Sequence, residues 1–116
     1  MRMILVFSIM LFCISTSLRA ESLKGEQLKA AFSGKSGTWE RKDGTGEGNI
    51  SYGADGHTRI TGKFGKQTQD SGVWRISGDQ ICVKWKYIRG GKEGCFSITR
   101  LPDGRLEGNE VIVSFK

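Results

Sequence analysis

Histidine, proline and free cysteine are scarce in this chain, and each shortage closes off a class of function. There is one histidine, His57, and one proline, Pro102. A lone imidazole among scattered carboxylates cannot assemble the clustered ligand sets that hold zinc. Nor can it serve a triad without a nucleophile and an orienting acid. His57 follows Asp55-Gly56 and reads as a solvated turn residue. Serines are plentiful, but none sits in a nucleophile elbow. Asp43, Glu47 and Asp55 lie in turns without the spacing of a calcium loop. Glu40 and Glu110 are two acids of the kind a glycosidase pairs, a coincidence that any sequence offers. Gly44, Gly46 and Gly48 alternate in a turn and open no helix, so they are no phosphate cradle. We therefore expect no catalytic residues, no metal site, no cofactor and no enzymatic activity.

Long apolar runs are missing as well. The longest, from Met3 to Ile14, is a dozen residues, short of the roughly 18–20 that cross a bilayer. Arg2 precedes it and small polar residues follow as far as Ala20, the tripartite plan of a secretory signal. We expect residues 1–20 to be removed after Ala20, with a cut after Ser17 as the alternative. Bulky Phe12 argues against a lipid anchor on Cys13. The mature chain would then reach the periplasm or the medium without a transmembrane segment.

Of three cysteines, Cys82 and Cys95 remain, and in an oxidising compartment two thiols read as one disulfide. Closing a loop of this length contributes about 3 kcal/mol, useful to a single domain small enough to have a thin core. The net charge of +6 falls by two when Arg2 and Arg19 depart. In an exported protein that balance suits an anionic envelope component or an acidic protein partner, not nucleic acid. It is also no more than a soluble surface with a modest lysine excess.

Residues 21–33 are the one helical candidate, with Leu23, Leu28, Ala31 and Phe32 at helical spacing. Leu23 can staple onto Leu28, and Gly34 can end the helix in the left-handed conformation. A helix this short needs a docking surface, so we expect it to plug or flank a sheet. Beyond Gly37 short alternating segments sit between turn signals: residues 38–42, 49–52, 57–64, 73–76, 80–88, 94–101 and 105–115, the last broken near Gly108-Asn109. Residues 65–70 read as a polar turn. The fold class expected over residues 21–116 is mainly β: a small antiparallel meander barrel or sandwich of about seven strands with one short N-terminal helix.

The segment from Ser71 to Arg100 carries the sharpest pattern. If Cys82 faces Cys95 across a hairpin, Ile81 faces Phe96, Val83 faces Gly94 and Lys84 faces Glu93, a favourable charge pair. Ile81, Val83, Trp85, Tyr87, Phe96 and Ile98 then share a core face. Cys82, Lys84, Lys86, Glu93, Cys95, Ser97 and Thr99 share a wet one, and a slip by one would bury charge. The disulfide is thus expected on the outer face. Two groups are binding candidates. Trp39, Trp74, Trp85 and Phe96 either line a pocket or simply fill the core. Lys84, Lys86, Arg89 and Lys92 form a basic surface, with Arg89 and Lys92 in the loop, or a charged ribbon that blocks edge aggregation.

Several stretches resemble small periplasmic proteins of rhizobia and related proteobacteria that are grouped as a domain of unknown function. They are Leu28 with Phe32-Ser33-Gly34-Lys35, Gly72-Val73-Trp74, the run from Gly78 to Trp85, and Cys95-Phe96. The resemblance implies a Gram-negative envelope location and a Cys82–Cys95 pair, and it implies no reaction. Gly37-Thr38-Trp39 is similar, more weakly, to the opening strand of avidin-like and lipocalin-like barrels. The function expected is an exported, non-catalytic β-barrel-like protein that binds something or associates with the envelope. The alternatives are a secreted effector or inhibitor docking on a protein, and a carrier of a small apolar ligand.

Overall fold

The structure is a computed structural model that describes residues 19–115. The apolar run of the expected signal peptide lies outside the described residues. The chain then forms β1 (Glu21–Ser22), α1 (Gly25–Phe32), β2 (Lys35–Arg41), β3 (Glu47–Tyr52), β4 (His57–Phe64), β5 (Gln67–Ser77), β6 (Gln80–Trp85), β7 (Glu93–Phe96), β8 (Thr99–Arg100), β9 (Leu106–Glu107) and β10 (Val111–Phe115). A short 3-10 turn, Ile88–Gly91, precedes β7.

These strands make one antiparallel sheet of ten strands, ordered β1-β8-β9-β10-β2-β3-β4-β5-β6-β7. From β2 to β7 it is an up-and-down meander, curled into a half-barrel. The mainly β class and, among the described residues, the single α-helix match the expectation from sequence; the strand number does not. Three of the strands, β1, β8 and β9, are only two residues long, too short for a period of two to show. The expected strand 94–101 breaks at Ser97-Ile98, where the chain leaves one edge of the sheet for the other. There Ile98 is buried and its carbonyl accepts the Leu23 N–H at 2.9 Å. The expected break near Gly108-Asn109 separates β9 from β10.

The helix starts later than its periodicity predicts because Glu21 and Ser22 pair with Arg100 and Thr99. Leu23 and Leu28 are both buried. Gly34 has φ +72° and donates its N–H to the Tyr52 carbonyl, tying the helix exit to β3.

Antiparallel pairing sorts the turns onto two ends of the half-barrel. The β3–β4, β5–β6 and β8–β9 turns share an end with α1. That end is closed by aromatics. Phe32 meets Tyr52 edge-on at 5.0 Å and Phe115 at 5.4 Å, and Tyr52 meets Trp74 at 5.7 Å. The buried indoles satisfy their N–H groups: Trp39 Nε1 donates to the Thr61 carbonyl at 3.0 Å and Trp74 Nε1 to the Gly53 carbonyl at 2.9 Å. The other end gathers the β2–β3, β4–β5, β6–β7 and β9–β10 turns, and among the described residues no α-helix covers it.

Candidate functional site

The uncovered end leads into a cavity of about 370 Å³, within the range of about 300–1,000 Å³ that small-molecule sites occupy. Its floor is Phe32 and Tyr52, and its walls include Ile50, Ile60, Ile81, Val83, Ile98 and Val113. Alternation puts these side chains inward from neighbouring strands. The Tyr52 phenol is pushed well above its ordinary pKa by burial, so it is neutral at every physiological pH. Arg41, Ile88, Arg89, Asn109, Glu110 and Val111 complete the lining from the open end.

Of the four aromatics marked in the sequence, Trp39, Trp85 and Phe96 line this cavity. Trp74 does not; it is buried against Tyr52. Tyr87, expected on the core face, is 56% exposed, because β6 ends at Trp85 and the chain turns away before alternation reaches it. Lys84, Lys86 and Lys92 are exposed as expected, and Lys86 Nζ lies 5.2 Å from the Tyr87 ring centroid. Arg89 is exposed as well, and it alone of the four also lines the mouth of the cavity.

The hairpin register is the expected one, with Ile81, Cys82, Val83 and Lys84 opposite Phe96, Cys95, Gly94 and Glu93. Cys82 and Cys95 form a cross-strand disulfide. It is not uniformly wet: Cys95 is exposed, but Cys82 is 1% exposed. Arg75, opposite Cys82 on β5, reaches across β6 to Glu93 on β7, with Nη2 at 2.8 Å and Nε at 3.1 Å from the carboxylate oxygens. Glu93 thus makes its close ion pair with Arg75, while Lys84, directly opposite it, adds a weaker attraction. Glu93 lies beside both sulfurs, but sulfurs joined to each other are not thiolate ligands. His57 is exposed on β4, and Glu40 is held by Arg105 at 3.2 Å.

Sequence reasoning missed Asp70. It sits in the polar run read as a turn, yet β5 begins at Gln67, and Asp70 faces Ile60 across the β4–β5 ladder. Its side chain is 7% exposed and pins the rim. Oδ2 accepts the N–H groups of Tyr87 at 3.0 Å and Ile88 at 2.8 Å, while Oδ1 accepts the Ser71 N–H at 2.8 Å. The one sequence signal was a carboxylate followed by Ser71-Gly72. Burial pushes the Asp70 carboxyl up, but the amides of Ile88, Tyr87, Ser71 and Lys86 outweigh it and hold it below its ordinary 3.8.

A carboxyl depressed by folding contributes stability above its unfolded pKa, and that contribution fades as pH falls through the lower folded value. The Tyr87 and Ile88 amide resonances should titrate together with a midpoint below 3.8, followed by NMR; a midpoint above it would mean that the carboxylate does not hold the loop. Asp70→Ala leaves those amides unpaired and should cost about 2 kcal/mol by urea denaturation.

Comparison of the chain with protein-family models, with curated proteins and with solved structures found no match. The functional reading therefore rests on the cavity and its rim.

Proposed function

We propose that this is an exported, non-catalytic binding protein that carries a small apolar molecule in its half-barrel. The observation that carries the reading is the unfilled apolar cavity of about 370 Å³ at the open end. A domain of this size has little apolar surface to spare, and dispersion contacts forgone across a void weaken it. An empty space lined by Ile, Val and aromatic side chains is accordingly a place for a ligand. The signal-like N-terminus and the disulfide support export.

Trp39 and Trp85 stand in the lining, so intrinsic fluorescence reports occupancy. Titration with monoterpenes, medium-chain alcohols and aromatic hydrocarbons should give a saturable change for at least one class. Val83→Phe, which puts a larger ring into the cavity, should abolish it while the far-UV spectrum is retained. A flat response across the panel would remove the carrier reading.

A second reading, docking on an anionic envelope component or acidic protein, has one observation in its favour. Among the described residues Lys84, Lys86 and Lys92 make no ion pair, and exposed Tyr87 lies among them. Reversing the three lysine charges should release envelope partners in a pull-down if the reading holds, and leave them bound if it does not.

A further inference from the structure

Arg89 is held at the rim by four separate features. It is the one non-glycine residue with positive φ among the described residues, at +60°, a conformation that side-chain-bearing residues keep only where their surroundings impose it. Asp70 pins the two amides just before it. The guanidinium carbon lies 4.4 Å from the centroid of the Phe96 ring, a cation–π stack on a cavity-lining aromatic. Finally, Gly94 leaves the inner-face position open: a Cβ there would collide with the Arg89 guanidinium. The guanidinium thus stands in for the missing side chain of β7 and sits at the mouth of the apolar cavity.

Among the described residues neither Arg89 nor Arg41, the other guanidinium in the lining, forms an ion pair. The lining has one carboxylate, Glu110, exposed on the β9–β10 turn. A stacked guanidinium keeps its N–H edge free, and that edge matches the planar pair of oxygens of a carboxylate.

We infer that Arg89 selects the ligand, an amphiphile whose apolar body fills the cavity and whose anionic end group is bound at the rim by the Arg89 guanidinium. This rests on the carrier reading and sharpens it from any apolar molecule to a carboxylate-tipped one.

Dodecanoate and dodecanol, equal in chain and different in end group, test it through the tryptophan fluorescence of the full mature chain. The wild type should bind dodecanoate about tenfold or more tightly than dodecanol, the scale of one charge-assisted hydrogen bond. Arg89→Gln should remove that preference, bringing dodecanoate affinity down to the level of dodecanol. Arg89→Gly, which suits φ +60° without strain, should lose the preference with its melting temperature held or raised, an outcome that a purely structural arginine would not give. Equal binding of the two amphiphiles by the wild type would overturn the assignment and leave the carrier reading intact. So would a preference that survives Arg89→Gln or disappears only with Arg41→Gln. Binding of neither would remove the carrier reading itself.

Discussion

Phe32→Ala should lower stability by about 3–5 kcal/mol, the cost of emptying a buried aromatic site. Phe32 is 1% exposed and is the contact through which α1 closes the half-barrel, edge-on to Tyr52 and Phe115. Alanine removes both aromatic pairs, each worth about 0.5–1.5 kcal/mol beyond the area buried, and extends the cavity through its floor. A short helix has little stability of its own, so the loss should free α1 as well. For a domain of this size each kcal/mol lowers the melting temperature by about 4–8 °C. Val73, 48% exposed on β5, gives the comparison: Val73→Ala should move the transition by less than about 0.5 kcal/mol. If calorimetry finds the two substitutions equal, α1 does not close the barrel.

Much of this arrangement could be read from the chain alone, wherever local alternation and a cross-strand constraint agreed. β4 has the predicted limits, His57–Phe64, because Thr58, Ile60 and Phe64 alternate with polar residues between two strong turns. The hairpin register followed from the cysteines, since only one pairing sorts Ile81, Val83 and Phe96 away from Lys84 and Glu93. Alternation specifies that one face of a sheet is buried. It does not say whether the sheet closes, how many strands it has, or whether the enclosed space is filled, because those depend on contacts between residues far apart in sequence. The two-residue strands β1 and β8 exist through each other's hydrogen bonds, and nothing local marks them.

The rim was the least legible part, for a related reason. Gln67 to Asp70 is uniformly polar and reads as turn, yet its backbone is recruited by β4 and its carboxylate is spent on amides some 17 and 18 residues away. Arg89 reads as a loop cation. Its inward direction depends on Gly94, which is five positions on and says nothing alone, and on Phe96 beneath it. Position in the sequence grouped Arg89 with Lys84, Lys86 and Lys92; all four are exposed, and the loop geometry brings Arg89 alone to the rim.

Removing the disulfide, by reduction or by the double substitution of Cys82→Ala and Cys95→Ala, should cost about 3 kcal/mol, again a large share of the about 5–15 kcal/mol that holds a domain together. The bond joins residues directly opposite on β6 and β7, 13 apart in sequence. Between them lies the segment that carries the rim. β7 is an edge strand of four residues, too short for its ladder to fix it against β6 unaided. In urea the midpoint should fall while the slope rises, because an unfolded chain freed of its cross-link exposes more surface. The two sulfurs should also differ in reactivity. Access decides which sulfur a thiolate attacks, and Cys82 is buried while Cys95 is exposed. Under limiting glutathione, mass spectrometry should find the mixed disulfide on Cys95. Arg75→Ala, which removes the pair that spans β6 beside Cys82, should bring adducts onto Cys82 as well. A midpoint unmoved by reduction would mean that the β6–β7 ladder alone fixes the hairpin. Adducts shared equally in the wild type would mean that the Arg75–Glu93 pair shields nothing. If both expected results are found, the disulfide holds the strand on which Arg89 stacks, and its loss should weaken ligand selection at the rim before the rest of the half-barrel unfolds.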